Sequence, residues 1–224
     1  MFYRGSFWGL LNPFALSCGV ITLAMIIQHG ALYLGVKTTE PIQTRGIKVI
    51  HATTLLILLT FSLIGLYSSK MMTGYKISTP LIANGASNPL LKEVALITGY
   101  WGENYDLHPW MRMAPLLGYM GLVATWIYSM QQRFKVAFFT NAIAMTGIIG
   151  TAGVSMYPFI LPSSLDPRSS LTIWDASSSR LTLFVMLLAT IIFLPIIVAY
   201  TRWVYKVLSG KVTVQNIQDE SNSY

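Results

Sequence analysis

The sequence predicts an all-α integral membrane protein of about five transmembrane helices. Three observations predict it. Of the 224 residues, 54% are apolar and only 10% charged, against about 25% charged in a soluble domain, which leaves too little polar surface for a water-soluble fold. Five stretches are long and apolar enough to cross a hydrocarbon layer of about 30 Å, which takes about 20 helical residues. Lysine and arginine gather in alternating connections, the pattern that orients a multi-pass chain. The composition also excludes disorder, which needs low hydrophobicity with high charge. The single cysteine, Cys18, excludes an internal disulfide framework and any cysteine-based metal cluster. The net charge of +7 is explained by those basic connections and does not call for nucleic acid.

The transmembrane domain covers 1–214, with spans at 7–36, 47–67, 113–130, 134–159 and 181–208. Outer loops occupy 68–112 and 160–180, and a cytoplasmic tail occupies 215–224. Helices are required because an isolated strand leaves its backbone unpaired in lipid. The first span is too long for a cleaved signal peptide, holds Asn12-Pro13 and has no small-residue cleavage site. The connection after it carries Lys37, Arg45 and Lys48 against Glu40, the tight turn between the third and fourth spans carries Arg133 and Lys135, and the end of the fifth carries Arg202, Lys206 and Lys211. All three fall on one side, which the positive-inside rule makes cytoplasmic, with the amino terminus outside. Trp8, Trp101, Trp110, Trp126, Trp174 and Trp203 near the ends read as interfacial anchors.

In the outer loop 68–112, Asn88 is a good N-cap and Pro89 suits a first helical position. Leu90, Leu91, Val94 and Ile97 then keep to one side, predicting a short interfacial helix. Lys92 and Glu93 on it either line a polar path or partner contact, or belong to a solvated face. In the second outer loop, Pro158, Pro162 and Pro167 end the fourth span. Thr172 and Asp175 have capping-box spacing, which places the Asp175 carboxylate at the positive end of a helix. The other reading of Asp175 is a rim carboxylate of a proton or quinone site. Trp174 reads as an interfacial anchor before a redox relay.

His29 lies deep in the first span and His51 near the start of the second. Together they are candidates for a bis-histidine haem, but at 1.5 Å per residue they sit about 10 Å and about 5 Å below the interface, so only a marked helix offset would bring one iron to both. His29 satisfied by a helix–helix hydrogen bond, with Gly30 and Gly35 permitting close approach, is the simpler reading. His108 beside Pro109 reads as solvated. The eleven methionines are explained by packing. No phosphate-binding glycine loop, metal-ligand cluster or nucleophile–base pair can be assembled. The spans contain neither aspartate nor glutamate, which argues against a pump or ion-coupled carrier built from this chain alone.

Several blocks then occur in a telling order. They are Gly9-Leu10-Leu11-Asn12-Pro13-Phe14-Ala15-Leu16, His29-Gly30-Ala31-Leu32-Tyr33-Leu34, and Ala86-Ser87-Asn88-Pro89-Leu90 with Lys92-Glu93-Val94. Next come Met156-Tyr157-Pro158-Phe159-Ile160-Leu161-Pro162-Ser163-Ser164 and Ser170-Leu171-Thr172-Ile173-Trp174-Asp175-Ala176-Ser177-Ser178. The last is Leu194-Pro195-Ile196-Ile197-Val198-Ala199-Tyr200-Thr201 through Trp203 and Tyr205. On these blocks the chain resembles subunit II of the bacterial cytochrome bd-type quinol oxidase, from about Phe7 to Val214.

The resemblance implies a four-helix-bundle half plus one peripheral helix in the bacterial inner membrane. It also implies a carboxy-terminal portion of the family chain, from a divided or shifted reading frame, an incomplete gene or a short paralogue, with the family's first bundle and its acidic proton route outside this sequence. In such an oxidase, membrane quinol is oxidised and oxygen reduced to water, and haems b and d belong to subunit I. Subunit II binds no haem and docks against that partner. The implied partners are subunit I, the first half of subunit II if separately encoded, membrane lipid and quinone. No catalytic residue carries over: Asn12, Pro13, His29, Asn88, Glu93, Trp174 and Asp175 are structural or interface candidates, with His29, His51 and Trp174 as minor candidates for haem or for a bound quinone or lipid. The competing classes are a half-transporter completed by oligomerisation and a small bis-histidine haem b electron carrier.

Overall fold

A computed structural model describes residues 6–79, 92–208 and 210. The amino end begins with a single turn, α1 (Phe7–Leu10), capped by Ser6, and the chain then breaks at Leu11-Asn12. Asn12 Oδ1 accepts from Ala15 N at 2.8 Å and Pro13 occupies the first helical position, so these residues start helix α2 (Pro13–Lys37) rather than lying inside a span that begins at residue 7. Helix α3 (Ile42–Lys70) is longer at both ends than the apolar run 47–67, because its first turns carry polar residues beyond the apolar stretch. Helix α5 (Met113–Met130) has the predicted bounds, α6 (Phe134–Met156) stops before Tyr157-Pro158, and α7 covers Arg180–Val207. The five long helices α2, α3, α5, α6 and α7 are each long and apolar enough to cross a membrane.

Helices α2, α3, α5 and α6 form a four-helix bundle in which α2 packs on α3 and α6, and α5 on α3 and α6. Helix α7 buries none of its residues and is held at its last turn, where Lys37 Nζ at the end of α2 donates to the carbonyl of Leu208. That contact puts the ends of α2 and α7 together. The basic residues of the α2–α3 connection, the α5–α6 turn and the end of α7 therefore share one end of the bundle.

The α5–α6 hairpin is the tightest pairing. Its three-residue turn uses Gln132 in the left-handed region (φ 54°). Gly121 lies so close to α6 that a Cβ there would stand 2.6 Å from Ala144 N, and a Cβ on Gly147 would collide with the backbone of Gly118. With lipid on one side and helix on the other, such close backbone approach supplies the packing that drives association. At the α2 end, a Cβ on Gly35 would strike the Phe134 ring, whereas Gly30 has nothing within 4 Å and does not mediate an approach.

The two long connections, expected on the outer side, are not helical where a helix was expected. Val94–Thr98 forms strand β2, antiparallel to β1 (Thr73–Ile77) with Tyr75 opposite Leu96. β-branched Val94, Ile97 and Thr98 suit an extended chain with a partner available, and Gly99 (φ 78°) turns the chain back beneath Met72. Asn88 lies outside the described residues, as does 215–224. After β2 come a 3₁₀ turn at Tyr100–Gly102, the short helix α4 (Asn104–Leu107) and a 3₁₀ turn at Pro109–Arg112. Trp101 is buried and donates from Nε1 to the Thr73 carbonyl at 2.9 Å, so it is a core residue of this cap and not an interfacial anchor. A second hairpin pairs β3 (Phe159–Leu161) with β4 (Leu171–Thr172).

Gly147→Ala is expected to destabilise the full chain by about 1–3 kcal/mol, the usual cost of overpacking. Gly153→Ala, where nothing lies within 4 Å of the added methyl, should change it little. Denaturant-induced unfolding in detergent, followed by circular dichroism, measures both.

Candidate functional site

Each bundle helix carries, between two apolar clusters, one polar residue with no exposed surface. One cluster holds Met25, Ile57, Leu122 and Ala144, and the other Ala31, Leu32, Ile50 and Ala137. Between them, about one turn from each, stand Gln28 on α2, Thr54 on α3, Thr125 on α5 and Asn141 on α6, all four with no exposed surface. They form a single polar layer across the interior.

The layer is stitched by named bonds. Gln28 Nε2 donates to Thr54 Oγ1, whose own proton goes to the Ile50 carbonyl at 2.7 Å. Thr125 Oγ1 donates to the Gly121 carbonyl at 2.7 Å and lies 3.0 Å from Thr140 Oγ1. Asn141 Nδ2 lies 3.1 Å from His29 Nδ1. With the amide donating, neutral His29 carries its proton on Nε2. Toward the basic end, His51 Nε2 lies 3.3 Å from Ser129 Oγ, and its ring stacks on Trp126 at 4.7 Å with 6° between planes.

The two histidines therefore face different helices, His29 toward Asn141 and Phe138 on α6 (ring centroids 4.2 Å) and His51 toward α5. His29 Nδ1 is engaged from α6 and His51 Nε2 from α5, so the contacts of the fold do not pair the two rings. Among the described residues no group of three or more His, Cys, Asp or Glu is arranged to hold a metal. The helix–helix bond expected for His29 is present, and its partner, Asn141, was not singled out by sequence.

The outer cap has a second polar centre. Lys92, 4% exposed, donates to Asp175 Oδ2 at 2.6 Å, and the same oxygen accepts from Thr172 Oγ1 at 2.7 Å and Thr172 N at 3.1 Å. The Thr172–Asp175 pairing closes a turn, not a helix start: α7 begins at Arg180 and is capped by Ser179, whose Oγ accepts from Thr182 N at 3.3 Å. Lys92 is thus neither on a helix nor solvated, while Glu93 beside it is exposed. Trp174 is half-buried with its ring 6.3 Å from Tyr157, edge-on, and His108 is exposed as expected. Asn104, buried, donates from Nδ2 to the carbonyls of Val154 (3.0 Å), Ser155 (3.1 Å) and Tyr157, satisfying the end of α6. Tyr105 Oη lies 2.7 Å from Ser155 Oγ at the same place.

Burial pushes the Asp175 carboxyl up, but the bonds from Lys92 and Thr172 and the lysine charge outweigh it and hold the carboxyl below its usual range. A depressed native value means the contribution is complete above the unfolded value near about 3.9 and is lost as pH falls through the native one. The clamp between the two outer loops should therefore be insensitive to pH from neutrality to about 5 and open only in stronger acid. Asp175→Asn should destabilise by about 3 kcal/mol, the scale of removing one member of a buried pair, while Lys92→Met with Asp175→Leu should recover much of that. Unfolding midpoints of the three variants, with limited proteolysis of the outer loops against pH, check this.

Comparison with known proteins follows the same outline. The profile of the family described as cytochrome bd terminal oxidase subunit II matches residues 1–208. The protein named probable cytochrome oxidase subunit 2 of Haemophilus influenzae is 40% identical over 223 residues, which are 99% of this chain and 58% of that protein. Cytochrome bd-I ubiquinol oxidase subunit 2 of Escherichia coli strain K12 is 36% identical over 223 residues, 100% of this chain and 59% of that protein. Cytochrome bd ubiquinol oxidase subunit 2 of Bacillus subtilis is 23% identical over 207 residues, 91% of this chain and 52% of that protein. The chain spans under three fifths of the length of these relatives.

Proposed function

We propose, for a chain that belongs to the cytochrome bd terminal oxidase subunit II family, that it is a supporting, non-haem-binding part of an inner-membrane quinol:oxygen oxidoreductase. The haem-bearing partner, resembling subunit I, would oxidise membrane quinol and reduce oxygen to water. This chain would hold that partner in place. The observation that carries the reading is the family match over 208 residues together with two relatives named as cytochrome bd ubiquinol oxidase subunits.

The interior supports a structural role. Its hydroxyl and amide donors are directed at one another's side chains and at backbone carbonyls, and the spans hold no carboxylate to carry protons. Helix α7, apolar on every side, suits lipid or the apolar flank of a neighbouring subunit. By the positive-inside rule the end that gathers Lys37, Arg45, Lys48, Arg133, Lys135 and Lys206 faces the cytoplasm, and the end capped by the two hairpins faces out.

Affinity purification through a tag on this chain from membranes is expected to bring down a haem-bearing partner with quinol oxidase activity. The chain expressed by itself should show no haem absorbance. A haem spectrum from the isolated chain, or its recovery from membranes without any haem protein, would contradict the proposal.

A further inference from the structure

Two acceptors in the polar layer have no donor. Gln28 Oε1 and Asn141 Oδ1 are both fully buried and unpartnered among the described residues. Turning the amides round does not mend the deficit. The single proton of Thr54 Oγ1 goes to the Ile50 carbonyl, so Gln28 must meet Thr54 with its NH₂ and keep its oxygen elsewhere. Reversing Asn141 would turn its oxygen toward His29 and the Met145 sulfur and put its NH₂ where the oxygen now finds no partner, stranding both protons.

The side chains share one layer. Gln28 precedes His29 on α2, and Asn141 reaches His29 from α6, so both amide oxygens stand in the same interior section of the bundle. The two remaining positions are threonines, shorter than the Met25, Ile57 and Leu122 of the neighbouring cluster. Their hydroxyl protons are spent on carbonyls of their own helices. A guest here must be small, neutral and a hydrogen-bond donor. A cation would need about six oxygen ligands and a nearby negative charge, and the spans contain no carboxylate.

We infer that the polar layer is an internal water site, in which water donates to Gln28 Oε1 and Asn141 Oδ1 in the middle of the bundle. Buried water of this kind satisfies two to four otherwise orphaned groups and belongs to the structure, and in a bilayer it is one of the few donors the backbone and side chains of a helix bundle can still find. Where one water serves both oxygens, it adds a second link between α2 and α6 beside the Asn141–His29 bond. It thereby orders the Asn141 amide that fixes the His29 tautomer.

The test is a density map of the protein in its native membrane assembly, at a resolution where ordered waters appear. A peak about 2.8 Å from each amide oxygen, one shared or one on each, is expected, unchanged in strength when sodium in the buffer is replaced by rubidium. In the Gln28→Met, Asn141→Leu variant the peak should vanish. Empty density with both oxygens paired to protein donors would overturn the inference. So would a peak that gains density in rubidium, which marks a cation. The wild-type map decides the matter even if the variant fails to assemble.

Discussion

A polar group inside a bilayer must find its partner within the protein, because lipid offers none. Four helices that each carry one such group at the same depth can satisfy them only in one register. Gln28, Thr54, Thr125 and Asn141 impose that condition on this bundle. A shift of either neighbour by one turn would set an amide against Met25 or Ile57 in place of Thr54 or His29. The apolar clusters on either side are forgiving, since one aliphatic side chain replaces another at modest cost. The polar layer is not, and it gives the bundle its specificity while glycine-rich packing along α5 and α6 gives it closeness.

The outer cap solves the complementary problem. Long connections outside the membrane have to be fixed to helix ends whose last carbonyls lack partners. Asn104 covers the end of α6, Trp101 binds the start of β1, and the Lys92–Asp175 pair joins the first outer loop to the second. Each is a side chain from one segment closing on backbone or charge from another, and together they tie the cap to the bundle. The opposite end gathers the basic residues of the α2–α3 connection and the α5–α6 turn, and there Lys37 also ties α7 to α2. The result is a bundle fixed in register, a cap fixed to one end of it and an apolar flank along α7.

How much of this the sequence disclosed depended on the range of the forces involved. The spans and the basic end were legible because hydrophobicity and charge act residue by residue. The start of α2 at Asn12-Pro13 was present in the sequence as cap chemistry, although it lay inside the long apolar run and was first read as part of it. The bond from His29 to a neighbouring helix followed from the cost of a lone imidazole in lipid. Strand β2 was misread because Val94 and Ile97 fit a helical spacing, and the partner that decides for extended chain, Thr73–Ile77, is remote in sequence. Asp175 was assigned to a helix cap for a similar reason: its real partner, Lys92, is 83 residues away. The polar layer was half visible, since Gln28, Thr54 and Asn141 are polar interruptions in apolar spans. That they coincide in depth depends on how the helices are set against each other, which no single span encodes.

The account stands or falls on whether the layer couples the helices energetically. A double-mutant cycle of Gln28→Met and Thr54→Val in the assembled protein, read by unfolding free energy, measures this most directly. The account predicts a coupling of about 0.6 kcal/mol, the mean for hydrogen bonds between membrane helices, and no more than about 1.7 kcal/mol. Strictly additive effects, with each substitution costing the same whether or not the other is present, would contradict it.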